Sequence, residues 1–446
     1  MQSFPKKAQD FGGPEEDALT ARLFPPLPGT VKWGLERTER ILAAVGDPHR
    51  SYPTLHVGGT NGKGSVARIW AEILRAAGHR TALYTSPHLV SFRERILVNG
   101  RPVPDDLLVS CADELRPHFE RESPSFFEAA TALAFLAFAR AGAEIAVVEV
   151  GLGGRLDATN VIAPLMTAVT NVSMDHGEML GATVVEIARE KAGIFKRDVP
   201  AFTASDDPAV LEVLEGSAQE VGTTLRGVVA PSGRTTLDGS RLRVETERWG
   251  GLELASSLVG THQMRNIALA VGTLEALPAE LSLPESAVRE GVLRTRVPGR
   301  FQMEREGELL WVLDAAHNPG GAEALARTLA SVSLPRPRVA LLGVLADKDG
   351  AGILQALSSS ADHFVLTVPE SAPVPRRWNP AEAAAALPPG RTVVVPDFGE
   401  ALETVSRLAA PSGTIVVAGS SHTVGDAMKR RGWIPAEALP GSFDSG

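Results

Sequence analysis

The stretch Thr54-Leu55-His56-Val57-Gly58-Gly59-Thr60-Asn61-Gly62-Lys63-Gly64-Ser65 opens on a β-rich run and closes on a glycine-rich turn. Beyond it, Val66, Ile69, Trp70, Ile73, Leu74 and Ala77 recur at i, i+3, i+4 spacing, so a helix is expected from near Ser65. Strand, glycine turn and helix in that order make a cradle for phosphate. Glycines let backbone N–H groups come close to an anion, and the helix N-terminus adds partial positive charge. Lys63 supplies a point charge for the outer phosphates, and Ser65 can ligate Mg²⁺. The generic pattern ends in Gly-Lys-Ser/Thr, whereas Gly64 stands here between Lys63 and Ser65. A plain turn over a core strand is the competing reading, and the strand–loop–helix context favours phosphate.

Outward from this turn, short β-rich runs alternate with helical patterns, which predicts parallel sheets wrapped by helices. Ile145 to Val150 reads as a buried central strand, and so does Ala168 to Val172. Val228 to Leu258 alternates and carries turn signals at Asp238-Gly239 and Gly250-Gly251, which suggests antiparallel hairpins. Val297-Pro298-Gly299 reads as a linker. After it, Leu309–Leu313, Val339–Val344, His363–Val368, Thr392–Val395 and Thr414–Ala418 form a second strand series, with Ala322–Ala330 and Ala381–Leu387 among the helical gaps. The expectation is a flexible tail over residues 1–20, a P-loop domain over 21–297 with a β-rich edge, and a smaller Rossmann-like domain over 298–446. Two doubly wound α/β domains joined this way imply a ligand cleft between them.

Composition narrows the function. A chain of 446 residues with 44% hydrophobic and 22% charged side chains can bury large cores, which excludes disordered and disulfide-stapled classes. Lys and Arg number 44 against 53 Asp and Glu, a net charge of −9, so no nucleic-acid backbone is expected as partner. The apolar run Ala129 to Ala139 is far short of the ~20 residues that cross a bilayer, so no membrane is expected either. One cysteine, Cys111, and no apolar leader suit a cytoplasmic setting.

Further candidates lie at strand ends. Glu149 closes its strand before Gly151-Leu152-Gly153-Gly154-Arg155, where a Mg²⁺ ligand belongs. It could instead be a structural partner of Arg155. A dinucleotide fingerprint fails because Leu156 holds its sixth position. Asp175-His176 follows the next strand. His176 alone reads as a satisfied surface or core residue, but beside Ser65 and Glu149 at parallel strand ends it can be a ligand. Oxygen ligands plus one imidazole suit Mg²⁺ or Mn²⁺ better than Zn²⁺. Lys191 ends a helical stretch and by residue type alone reads as a solvated cation. Leu313 to Pro319 closes a strand and opens a helix with Asn318 as N-cap. Asp314 and His317 there could touch a nucleotide, or merely form a βα turn. Arg300 could swing onto a phosphate. Asp347 and Lys348 could meet a small charged substrate or sit in a polar loop.

Together these residues resemble the Mur-ligase superfamily, and within it the folylpolyglutamate and dihydrofolate synthases. The resemblance runs from about Leu35 to about Gly425. It rests on HVGGTNGKGSV (56–66), YTSPHLVSFRERI (84–96), FFEAATALAF (126–135), EVGLGGRLDATN (149–160), DHGEMLG (175–181), EKAGIFK (190–196), HQMRNIALA (262–270), PGRFQ (298–302) and LDAAHNP (313–319). About 50 residues precede the glycine turn, fewer than the UDP-sugar domain of a cell-wall Mur ligase would need.

The resemblance implies an ATP-dependent amide ligase that adds L-glutamate to dihydropteroate, to reduced folates, or to both, and a monomer is expected. It implies ATP contacts from Thr60, Asn61, Gly62, Lys63, Gly64, Ser65, Asn266, Arg300, Asp314 and His317. Ser65 with Glu149 would hold one Mg²⁺ and His176 a second. Lys191 looks like the lysine that is carbamylated in this family, so Lys63, His176 and Lys191 would carry the chemistry. Ser86, Pro87, His88, Phe126 and Phe127 would border the folate. Ala315, where Gly is commoner, and Ser420-Ser421-His422-Thr423-Val424-Gly425 depart from the pattern, and the second departure speaks against substrate contact by that loop. A Mur-type ligase for another carboxylate and a non-ligating P-loop ATPase are the rival readings.

Overall fold

The computed structural model describes residues 18–27, 33–281, 283–387 and 389–441. The tail expected over residues 1–20 lies outside them except at its end. There Ala18–Leu23 forms a helix with Leu19 and Leu23 buried, so residues 18–20 are helical rather than a flexible tail. Apolar residues at positions 19 and 23 share a helix face and cover the first domain.

Eight strands form the first sheet: β1 (Thr54–Gly58), β2 (Thr81–Tyr84), β3 (Ile96–Val98), β4 (Arg101–Pro102), β5 (Ile145–Glu149), β6 (Met166–Val169), β7 (Ala201–Thr203) and β8 (Leu225–Gly227). Their order is β4-β3-β2-β5-β1-β6-β7-β8, with β2 through β8 parallel apart from the antiparallel β3 and β4 at one edge. Alternation divides the side chains between two cores. Ile145 and Val147 enter one, and Ala146 and Val148 the other. Trp70 anchors the first core, donating through Nε1 to Ala270 O at 3.0 Å and to Thr273 Oγ1 at 2.9 Å. The apolar run around Ala129 lies in the helix Phe126–Arg140, which is buried in the second core along most of its length.

The expected hairpins appear as β9 (Ser232–Thr236), β10 (Gly239–Thr246) and β11 (Gly250–Ser256), an antiparallel sheet whose Leu242, Val244, Leu252 and Leu254 join the first core. The last sheet holds β12 (Gln302–Glu306), β13 (Leu309–Leu313), β14 (Arg338–Leu342), β15 (His363–Leu366), β16 (Thr392–Val394) and β17 (Thr414–Ala418), in the order β12-β13-β17-β14-β15-β16. Only β12 runs antiparallel to its neighbour. Val416 and Ala418 face one core and Ile415 and Val417 the other, so this sheet too is covered on both sides.

Register sets where the loops emerge. Val57 pairs with Glu149 on one side and with Ala168 on the other, so the glycine turn leaves β1 between the ends of β5 and β6. Leu313 pairs with Val417, and Ala418 with Leu342, so the loops after β13, β17 and β14 leave the last sheet side by side. The strand expected over Ala168 to Val172 stops at Val169. Thr170 and Asn171 turn toward the glycine loop instead, donating from Oγ1 and Nδ2 to Asn61 O at 2.7 and 2.8 Å.

Candidate active site

The glycine turn is built on conformations only glycine adopts at ease. Gly62 caps the helix Lys63–Ala76 with φ +89°, and a Cβ there would lie 2.5 Å from Asn266 Oδ1. The helix starts at Lys63, two residues earlier than expected, because that glycine reverses the chain. Gly64 lies against Glu149: a Cβ on it would sit 3.4 Å from Oε2. Lys63 folds back over its own loop, with Nζ donating to Gly59 O and Thr60 O, both at 3.1 Å. Burial lowers its pKa, and the Glu149 carboxylate works against that shift.

Glu149 does not pair with Arg155, which bonds to Glu190 instead. Glu149 is buried and accepts from Ser86 N at 3.0 Å, and burial raises its pKa against the pull of Lys63. A buried carboxylate next to a helix N-terminus and a serine hydroxyl suits a cation. Among the described residues no three His, Cys, Asp or Glu side chains gather into a metal cage. Mg²⁺ does not need one, since it keeps waters and takes one or two carboxylates plus substrate phosphates. Ser65 and Glu149 fit that donor set.

Lys191 overturns its reading as a solvated cation. It is 4% exposed and its Nζ donates to Gly59 O at 2.8 Å. Burial, then the positive charge of Lys63, bring its pKa down to about 7. Two ammonium groups thus share one carbonyl.

Asp175 and His176 lie six and seven residues past β6 rather than at its end. His176 takes the left-handed conformation, φ +52°, at the start of a short helix. Burial, then Lys348, bring its pKa down to about 3, so the ring is neutral at pH 7. Asp175 is the meeting point of the two domains. It accepts from Asn318 Nδ2 at 2.9 Å and from Lys348 Nζ at 2.6 Å, and His317 Nε2 lies 3.6 Å away. Burial would raise its pKa, but His317, His176 and Lys348 outweigh that and hold it well below the usual carboxylate range. Asn318 also exchanges amide hydrogen bonds of 3.0 and 3.1 Å with Asn61 in the glycine turn.

Asp314 is buried, accepting from Phe301 N at 2.9 Å and Ala316 N at 3.0 Å, with Arg300 opposing the upward push of burial on its pKa. His317 Nδ1 donates to Ala315 O at 2.9 Å, which leaves Nε2 toward Asp175. Asn266 donates to Gln263 Oε1 at 3.0 Å.

On the other side of Glu149, His88 Nδ1 accepts from Arg95 Nε at 2.8 Å. Burial, then Arg95, hold His88 well below its usual pKa. The Arg95 guanidinium lies 5.9 Å from the Phe92 ring centre and 5.6 Å from that of Phe126, inside cation–π range. Phe127 fills the space over Gly151, where a Cβ would meet its Cζ at 2.3 Å.

One cavity of about 750 Å³ is walled by all of these groups: Thr60 through Ser65, Ser86, Pro87, His88, Phe126, Phe127, Glu149, His176, Lys191, Asn266, Arg300, Asp314, His317 and Lys348. Asp347 is the exception. Its carboxylate is bidentate with Arg376 at 2.9 and 2.8 Å, and Arg376 rather than Asp347 reaches the wall. A half-buried carboxylate in a bidentate pair with a guanidinium is held there before any substrate arrives. Ser420, Ser421 and His422 of the departing loop also line the cavity. Sequence reasoning missed Arg95 and the bridging role of Asp175 and Asn318. An arginine under aromatic rings has no local signature, and a bridge between loops 143 residues apart has none either.

Residues 57–274 match the Mur ligase middle domain, and residues 299–421 match the Mur ligase glutamate ligase domain. A dihydrofolate synthase/folylpolyglutamate synthase of Bacillus subtilis (strain 168) is 34% identical over 349 residues, covering 75% of this chain and 81% of that protein. A probable bifunctional folylpolyglutamate synthase/dihydropteroate synthase of Halobacterium salinarum is 36% identical over 428 residues. That match covers 92% of this chain and 50% of the relative, so the chain spans half that protein's length. The crystal structure of Mycobacterium tuberculosis folylpolyglutamate synthase complexed with ADP and AMPPCP matches with a TM-score of 0.83 and 36% identity, covering 90% of this chain and 96% of that one. With similarity along nearly the whole chain and both domains matched in turn, the protein belongs to the dihydrofolate synthase/folylpolyglutamate synthase family of Mur ligases.

Proposed function

We propose that the protein is an ATP-dependent amide ligase that joins L-glutamate to the carboxylate of a pterin substrate, dihydropteroate or a reduced folate, and that it serves both. The observation that carries this reading is the single cavity onto which the glycine turn, the aromatic pocket beside His88 and the loops of the second domain all open. The names of the relatives and the nucleotides in the solved structure support it.

A carboxylate does not condense with an amine at neutral pH, because oxide is a poor leaving group. Attack of the substrate carboxylate oxygen on the γ-phosphorus of ATP releases ADP and leaves an acyl phosphate. The glutamate nitrogen then attacks the acyl carbon, phosphate leaves with its bonding pair, and the nitrogen gives up a proton. The protein's part is positioning and charge neutralisation. The glycine-turn N–H groups and Lys63 would hold the phosphates, with Thr60, Asn61, Asn266, Arg300, Asp314 and His317 around the nucleotide. Ser65 and Glu149 would hold one Mg²⁺ and His176 a second. Those ions would supply Lewis-acid charge at the phosphoryl oxygens. Ser86, Pro87, His88, Phe126 and Phe127 would border the pterin, and Lys348 would meet glutamate. Closure of the second domain keeps water from the acyl phosphate.

Lys191 is read as a carbamylated lysine. A neutral amine adds CO₂ and loses a proton to give –NH–COO⁻, and the pKa of about 7 makes that amine available. The change turns repulsion from Lys63 into attraction. The one buried cysteine fits a reducing, cytoplasmic setting.

The test is incubation with ATP and L-glutamate, plus either dihydropteroate or tetrahydrofolate, with product masses measured. Gain of one glutamate on each pterin is expected. ADP release without any amide product would sink the proposal.

A further inference from the structure

Lys348 follows β14 on the second domain, and its side chain is only 7% exposed. Its neighbour Asp347 is taken up by Arg376, so the ammonium finds its acceptors across the cleft. One is Asp175 Oδ1 at 2.6 Å, and the other is His176 Nε2 at 2.9 Å. An ammonium group has protons to give and no lone pair to offer. In this contact Nε2 is therefore the acceptor, and its single lone pair points at Lys348. A histidine that binds a metal through Nε2 uses that same lone pair. The two contacts exclude each other.

We propose that Lys348 and a divalent cation compete for Nε2 of His176, so that metal binding expels the ammonium from the ring and hands it to the carboxylate of the incoming amino acid. The first half concerns this chain's own residues. The second half rests on the glutamate reading above. An ammonium buried between two acceptors and robbed of one needs another. Asp175 keeps it in place, and a glutamate carboxylate replaces the ring nitrogen. The arrangement imposes an order: the metal enters before the amino acid, and the nucleophile arrives only when the phosphoryl site is complete. By linkage, glutamate must tighten metal binding by the factor by which metal tightens glutamate.

The experiment uses the full chain with AMPPCP and counts bound Mn²⁺ by electron paramagnetic resonance in the wild type, Lys348→Gln, His176→Gln and the double variant. Binding of AMPPCP certifies that each variant is folded, and Lys348→Met stands in where Lys348→Gln is not. The weaker class of Mn²⁺ is expected to tighten at least about fivefold in Lys348→Gln, with nitrogen modulation from an imidazole ligand in the spin-echo spectrum. It is expected to vanish in His176→Gln. Unchanged or weaker Mn²⁺ binding in Lys348→Gln overturns the proposal. So does tightening that survives in the double variant, since the uncovered Asp175 would then draw the metal by itself. L-Glutamate is expected to tighten Mn²⁺ in the wild type but not in Lys348→Gln. Failure of that arm alone would overturn the glutamate reading and leave the competition standing.

Discussion

The two walls of the cleft do their work with different parts of the chain. At the glycine turn of the first domain, one continuous stretch, Gly59 to Ser65, offers mainly backbone, held by glycine conformations and a helix end. On the second domain, isolated side chains arrive from separate loops after β13, β14 and β17, each already bonded within the protein. A backbone cradle is set by local geometry and carries little choice of partner. Side chains from distant loops come together only when the domains meet, which suits a site that must assemble before the second substrate is used. The bonds among Asn61, Asn318, Asp175 and Lys348 are where one wall holds the other.

That contrast can be attacked from the charged centre outward. Replacing Lys63 by Met removes the fixed cation of the backbone cradle. Turnover is expected to fall about a thousandfold, as when a transition-state donor is removed, and steady-state ADP release reads it. A fall of less than tenfold would mean that the backbone suffices without the lysine.

A smaller loss, about a hundredfold, is expected from Lys191→Ala, the scale for a group that supports a metal ligand. Nucleotide affinity should barely change, which calorimetry with AMPPCP checks. The pKa of about 7 sets the pH behaviour. Below pH 7 the amine is protonated and cannot take CO₂, so enzyme stripped at low pH should regain activity on adding bicarbonate at pH 8 and not at pH 6. A ¹³C carbamate resonance from labelled bicarbonate should be present in the wild type and missing in Lys191→Ala.

Least is expected at the aromatic pocket. Arg95→Met leaves His88 Nδ1 without its donor. The KM for the pterin should rise about tenfold, roughly one charge-assisted hydrogen bond, while the KM for ATP stays level. An equal rise in both would place Arg95 outside the pterin pocket.

Much of this molecule was legible in its residues. Glycines between a β-branched run and a helical pattern announced the cradle, since only glycine tolerates the backbone at Gly62. The alternating run before Thr261 announced the small antiparallel sheet. The errors share a cause. Ala168 to Val172 read as one strand because propensity cannot sense that Thr170 and Asn171 are bonded to Asn61, 110 residues earlier along the chain in the case of Asn171. Lys191 read as solvated because burial by the glycine turn is not a property of its own helix. For Asp347 a substrate contact and a polar loop stayed equally open, because its partner Arg376 comes from another loop.

Residue order alone thus pointed to the family, the two α/β halves and the glycine turn, because strand, turn and helix patterns are written in neighbouring residues. Folding in three dimensions decided which charged groups face the cleft and which are spent on one another. Asp347 lost its freedom to Arg376, Asp175 became the anchor between domains, and Lys348 came to rest on His176. Those outcomes depend on hydrogen bonds between groups far apart in the chain, and local pattern carries no record of such pairings.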